Sequence, residues 1–266
     1  MKLACFDIDG TLLPSYDQSI PQDVLSAIQS FADKGNAIAI ASGRPFGSVK
    51  ALLDIFHAPN RFAICAGGST LFDDQGNLLW KQTLNKEQFF HFAEELKPNK
   101  EVAVYCYLGD DSLASYFPEP WADFDFGINH FSCHHDLNQD DSVIDRFGVT
   151  KIMIAAYPEV SAKITFSKED YENFAIVRSN AHFLEVMPKG VSKASAIEVM
   201  RKRLNIGKEE IYTFGDSGND LEMVKDYVGV AMGNATEDVK EVAKYITKDC
   251  KDSGVAYALK DILHLI

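Results

Sequence analysis

Four short stretches of the 266-residue chain carry residue types that do chemistry together. Asp7-Ile8-Asp9-Gly10-Thr11 sets two carboxylates two apart, and Gly215-Asp216-Ser217-Gly218-Asn219-Asp220 adds two more. Ser42-Gly43-Arg44-Pro45 supplies a hydroxyl beside a glycine, and Lys189-Gly190-Val191-Ser192-Lys193 supplies amines. Carboxylates brought together repel unless a cation sits among them. Hard oxygen ligands favour Mg²⁺, which keeps several waters and shares its sites with phosphate. A lysine, a serine hydroxyl and backbone N–H groups near Gly43 could hold the remaining phosphate oxygens. A carboxylate attacking phosphorus gives an aspartyl-phosphate, and a second could protonate the leaving oxygen and then activate water. No G-x-x-x-x-G-K-[ST] loop is present, so an ordinary nucleotide cradle is not supported.

Such residues must be positioned by a scaffold, and the hydrophobic pattern supplies one. Residues 3–8, 37–41 and 62–66 read as buried strands, separated by helical patterns from Pro21 to Gly35 and from Pro45 to Phe56. Residues 71–80 carry a hairpin signal around Asp-Asp-Gln-Gly-Asn. The rhythm then changes to a helix over 86–97 and strand-like runs at 102–107, 150–156, 174–178 and 182–187, while 109–148 resists assignment. Alternation returns with helices from Ser192, Asn219, Thr236 and Gly254 and strands at 211–214, 228–232 and 245–247. The expected fold is α/β, a doubly wound parallel sheet of residues 1–82 and 188–266 interrupted by an inserted α/β cap over 83–187. All four chemical stretches then fall where such sheets bind ligands, beyond the carboxyl ends of strands.

Composition narrows the function further. The charge of −13, from 26 basic and 39 acidic residues, argues against a nucleic-acid binder. Five scattered cysteines without a C-x-x-C pair suit a reducing compartment. Acidic residues arrive by Asp7, leaving no room for a signal peptide's apolar segment, and no run approaches a membrane span. The expectation is a cytoplasmic protein with no nucleic acid, membrane or obligate protein partner, and an insertion long enough to cover the strand ends favours a small phosphorylated metabolite as substrate.

The four stretches, in this order, closely resemble the motifs of the haloacid dehalogenase superfamily, and the large insertion between the second and third resembles its Cof-type, sugar-phosphatase-like branch. Asp252-Ser253-Gly254-Val255-Ala256 resembles that branch's ending. The resemblance implies a Mg²⁺-dependent phosphomonoesterase with Asp7 as nucleophile and metal ligand. Asp9 would be the general acid/base and ligate the metal through its backbone carbonyl, and Asp216 would complete the set. Ser42, Gly43, Lys193 and Asn219 would bind phosphate, with Asp220 supporting. A preference for sugar phosphates also comes from the resemblance alone. Many members carry Asn-Gly after the third strand where this chain has Ala66-Gly67-Gly68-Ser69, so one possible substrate contact is missing. A phosphomutase on the same scaffold and a non-catalytic phosphate-binding module are the alternatives; dehalogenation is disfavoured by the acid cluster.

Simpler roles compete at several positions. Ser42 suits a helix N-cap as well as a phosphate ligand. Lys189 is either a solvated lysine or the site lysine should Lys193 not serve. His130, Cys133, His134 and His135 are types that suit Zn²⁺, yet their spacing matches no familiar site, so a cap surface or substrate-facing loop is expected. Tyr116, Phe117, Trp121, Phe124 and Phe126 are expected to pack within the cap, the alternative being that one of them faces the substrate.

Overall fold

The computed structural model describes residues 1–14 and 19–266. The described strands are β1 (Leu3–Phe6), β2 (Ala37–Ala41), β3 (Arg61–Cys65), β4 (Thr70–Asp73), β5 (Leu78–Lys81), β6 (Ala103–Leu108), β7 (Leu113–Ser115), β8 (His134–Asp136), β9 (Val149–Ala155), β10 (Phe174–Arg178), β11 (Phe183–Pro188), β12 (Ile211–Gly215), β13 (Val228–Ala231) and β14 (Tyr245–Ile246). They form two sheets, one in the order β14-β13-β12-β1-β2-β3-β4-β5 and one in the order β10-β11-β9-β6-β7-β8.

The first sheet is parallel from β14 to β3, because each of those strands is reached through a crossover connection. Its central strands are buried on both faces, which is why LACF and AIAIA are unbroken apolar runs. Helices Gln22–Asp33, Phe46–Leu53 and Lys193–Leu204 belong to this half. The predicted hairpin forms as the antiparallel pair β4–β5 and extends the sheet at one edge.

The second sheet is antiparallel except for β7–β8, and its strands alternate between two environments. Val104, Cys106, Ile152, Ile154, Leu184 and Val186 face a core completed by Phe89 and Phe92 of helix Lys86–Leu96. Full burial of each phenylalanine is worth roughly 1.5–3 kcal/mol. The opposite face presents Tyr105, Tyr107, Met153 and Ala155, partly covered by helix Pro120–Ile128. The unassigned stretch 109–148 contains β7, that helix, β8 and helix Val143–Phe147. Its elements are short and rich in turn formers, so periodicity had too little length to show.

Local departures from the sequence reading have identifiable causes. The helix expected from Asn219 starts as a tight turn over Gly218–Asp220 and becomes regular at Leu221–Asp226, because Asp220 is held in the site. The last helix is regular over Gly254–Tyr257 and widens to a π turn over Ala258–Ile262. Helix Phe46–Leu53 has Pro45 at its N-cap position, so Ser42 is not a helix cap. No helix among the described residues is long and apolar enough to cross a membrane.

The two sheets meet above the ends of β2 and β3. Ser69 Oγ donates to the Thr150 carbonyl at 2.6 Å, and Lys151 Nζ donates to the Gly43 carbonyl at 2.8 Å. Asp111 Oδ1 and Oδ2 accept from the N–H groups of Phe46 and Gly47 at 2.5 and 2.9 Å, so a side chain of the second half caps a helix of the first.

Candidate active site

The parallel sheet delivers its loops to one edge. Asp7 continues β1, its N–H donating to the Phe214 carbonyl at 3.0 Å, and Asp216 follows β12 beside it. Gly10 turns the chain at a φ of 84°, and a Cβ there would run into the Asp216 carboxylate, so only glycine lets the two loops close up. Thr11 Oγ1 then donates to Asp216 Oδ1 at 3.1 Å. Asn234 braces the same place, donating to the Gly10 carbonyl at 2.9 Å and accepting from the Cys250 N–H at 2.9 Å.

Lys193 is the first residue of its helix, fixed by a capping box between Ser192 and Ser195. Its ammonium lies 2.6 Å from Asp7 Oδ1 and 2.6 Å from Asp220 Oδ1, with all three side chains buried. Asp220 Oδ2 in turn accepts from the N–H groups of Asp216 and Ser217 at 3.0 and 3.3 Å. One carboxylate therefore orients both the lysine and the loop that carries Asp216. Lys189 lies elsewhere, on the surface, donating to the Tyr171 carbonyl at 2.8 Å. Burial disfavours the Lys193 charge, yet Asp220 and Asp7 outweigh it and hold the ammonium above the ordinary lysine range.

Asp7, Asp216 and Asp220 each offer an oxygen within 4.8 Å of the others. Burial, Asp220 and Asp216 push the Asp7 carboxyl well up against the opposing pull of Lys193. Burial and Asp220 raise Asp216 to about 7. Three crowded carboxylates with one ammonium lack a positive charge, which is what a hard divalent ion supplies. Asp220 has both oxygens committed, so Asp7 and Asp216 are the side chains left to face such an ion. The donor set fits a divalent cation.

Ser42 and Gly43 follow β2. The Ser42 hydroxyl accepts from the Arg44 N–H at 3.2 Å, and its carbonyl accepts from the Gly67 N–H at 3.1 Å. The loop after β3 is thus zipped to the loop after β2. Ala66 has a φ of 49°, a left-handed conformation that asparagine adopts more readily than alanine, so its place in the turn fits the Asn-Gly that resembling chains carry. Gly68 backs onto the Ser192 backbone, which ties this turn to the start of the Lys193 helix.

Asp9 is exposed, at 51% of its side chain, and Arg44 grips both its oxygens at 3.0 and 2.5 Å. Its side chain is not among the three clustered carboxylates. Asn219 is exposed and accepts from Ser217 Oγ at 2.8 Å.

The histidine-rich segment is not brought together as a metal site. His134 lies 2.9 Å from Ser115 Oγ and packs against Phe117 and Phe126, while His135 packs against Phe147. Trp121 and Phe126 pack within the second half as expected, whereas Tyr116, Phe117 and Phe124 are exposed. Sequence reasoning gave Arg44, Asn234, Lys151 and Glu185 no individual role. A lone charge at an inward position of an otherwise apolar strand was the available signal for the last two.

A profile of the haloacid dehalogenase-like hydrolases matches residues 4–259. Among curated relatives, 5-amino-6-(5-phospho-D-ribitylamino)uracil phosphatase YcsE of Bacillus subtilis is 29% identical over 266 residues, 98% of this chain and 95% of its own. A solved haloacid dehalogenase-like hydrolase from Bacteroides thetaiotaomicron superposes with a TM-score of 0.81 at 26% identity, covering 98% of this chain and 99% of the other. The solved sugar phosphatase BT4131, of subclass IIB in the same superfamily, gives 0.81 at 25% identity over 100% of both chains. With the matched profile spanning both sheets and every loop of the site, the chain belongs to the haloacid dehalogenase-like hydrolase family.

Proposed function

We propose that the protein is a Mg²⁺-dependent phosphomonoesterase that hydrolyses small phosphorylated metabolites, sugar or polyol phosphates foremost, through an aspartyl-phosphate on Asp7. The carrying observation is the buried Lys193 ammonium clasped between Asp7 and Asp220, with Asp216 at ligand distance. The printed activities of the similar proteins, a phosphatase of a 5-phospho-D-ribityl compound and a sugar phosphatase, support the substrate class.

Asp7, Asp216 and the backbone carbonyl of Asp9 would hold Mg²⁺, which when bound neutralises charge on the phosphoryl oxygens. Lys193 orients the Asp7 carboxylate through Oδ1, so that one oxygen is aimed at phosphorus and the other would face the ion. The Ser42 hydroxyl, the Gly43 N–H and Asn219 bind phosphoryl oxygens as Asp7 takes the group. Asp9 must leave Arg44 and take up a proton from solvent; it gives that proton to the departing alcohol oxygen, and as a carboxylate then takes one from the water that cleaves the aspartyl-phosphate. The half built on β6–β11, residues 83–187, acts as a cap that excludes water during the first step and shapes the leaving-group pocket. Phosphate release from a panel of phosphomonoesters, with Mg²⁺ and with excess chelator, tests the proposal. Chelator-sensitive turnover is expected, and full activity in chelator would contradict the metal role.

A further inference from the structure

We propose that Lys151 and Glu185 form the leaving-group recognition pair, gripping hydroxyls of a polyol or sugar monophosphate. The inference rests on the phosphomonoesterase reading and adds the residues that select the substrate.

Both side chains stand on the face of the second sheet that overlooks the loop after β2. Lys151 Nζ is 2.8 Å from the Gly43 carbonyl and 3.2 Å from Glu185 Oε2. A Cβ on Gly43 would lie 3.6 Å from the Lys151 nitrogen and 4.0 Å from each Glu185 oxygen. The two opposite charges therefore hang over the backbone next to Ser42, where the phosphoryl group is assigned. A hydrogen-bonded group of side chains backs Lys151. The ammonium sits 4.5 Å from the centre of the Tyr107 ring, and the Tyr107 and Tyr105 hydroxyls donate to buried Asp125 at 2.7 and 3.0 Å. Asn129 Nδ2 also donates to Asp125, at 2.6 Å.

The bond to Gly43 that joins the two sheets uses one Lys151 donor and does not by itself call for the ion pair with Glu185. Lys151 is 2% exposed, and the same sheet face carries Met153, Ala155 and Met187. Exchanging a buried ion pair for packed apolar side chains is often neutral or stabilising. A ligand gives the charges a use. An ammonium only donates and a carboxylate only accepts, whereas a hydroxyl does both. Neighbouring hydroxyls beyond the phosphate ester can satisfy the two together. The pair carries no surplus positive charge for a second phosphate, and Glu185 repels one, so monophosphates are favoured over bisphosphates.

The test compares kcat/KM for sorbitol 6-phosphate, phenyl phosphate and fructose 1,6-bisphosphate in wild type, Lys151→Met, Glu185→Gln and the double variant, each checked for folding by circular dichroism. The double variant removes both charges, so no lone charge is left buried to compromise folding. In it the ratio of sorbitol phosphate to phenyl phosphate turnover is expected to fall about 10–100-fold, the size of lost hydrogen bonds to charged groups. Glu185→Gln should also raise bisphosphate turnover relative to sorbitol phosphate. Wild-type turnover with ratios unchanged in the folded variants would overturn the pair's role alone. Failure of the wild type on every phosphomonoester would overturn the phosphatase reading and this proposal with it.

Discussion

The two sheets hold their polar residues in different ways. In the parallel sheet, Asp7, Ser42 and Asp216 stand in loops just past strand ends, and the strands behind them carry no charge. Each loop is a contiguous stretch, stiffened by its own glycines and by cross-bonds such as Gly67 N–H to the Ser42 carbonyl. In the antiparallel sheet, Lys151, Glu185 and Tyr107 stand within strands, on one face, and come from positions far apart in the chain. A parallel sheet buried on both faces has no room for charge along its strands and exports it to the ends. An antiparallel sheet with two unlike faces can keep charge on one of them. On the proposed reading, the first arrangement would fix one chemistry, and the second would let single substitutions change what is recognised.

The sharpest way to break this division is Asp7→Asn. It is expected to abolish turnover with the far-ultraviolet circular dichroism unchanged, and substantial remaining activity in the folded variant would sink the nucleophile assignment. Asp9→Asn ranks next, with a loss of about 10²–10⁴ in kcat, the usual worth of general acid–base catalysis. A loss confined to KM would instead place Asp9 in binding.

Stability gives a milder comparison. Lys193→Met leaves Asp7 and Asp220 facing each other in a dry site, and removing one partner of a buried pair costs about 3–5 kcal/mol. Lys151→Met should cost less, because Glu185 keeps contact with water at 13% side-chain exposure. Urea denaturation of both variants decides this, and an equal or reversed order would erase the distinction between the two polar sites. Mg²⁺ should raise the melting temperature of the wild type and not of Asp216→Ala; an equal rise in both would move the ion away from Asp216.

The smallest effect concerns the join between the halves. Burial, opposed by the Phe46 and Gly47 N–H groups, lifts the Asp111 carboxyl from 3.8 to about 6. The folded state thus favours the protonated form. Its contribution to stability is full below about pH 4, falls as pH rises towards 6 and is constant above. Asp111→Asn should flatten that part of the pH–stability profile, and an unchanged slope would assign the titration to another group.

The same contrast explains what could be read from sequence. LACF and AIAIA announce buried strands, and the contiguous loops after them name the candidate residues directly, so the parallel half and the Asp7–Asp216–Lys193 constellation were legible. The grip of Arg44 on Asp9 was not, because it joins loops 35 residues apart and no local pattern encodes it. Lys151 and Glu185 were hidden for a related reason. Thr-Lys-Ile-Met-Ile and Phe-Leu-Glu-Val-Met each show one charge inside an apolar run, but only the register of β9 with β11 brings the two charges together. Ser42 was half legible. Its place at a strand end was correct, while the helix it was expected to cap begins only at Phe46.

The central claim is that Asp7 becomes covalently phosphorylated. Acid quenching of the enzyme during turnover of a phosphomonoester with Mg²⁺, followed by mass spectrometry of its peptides, tests it most directly. The account predicts one phosphoryl group on the peptide that carries Asp7, present in the wild type and absent in Asp7→Asn. Phosphate release continuing in Asp7→Asn, or a phosphoryl group found on another residue, would contradict it.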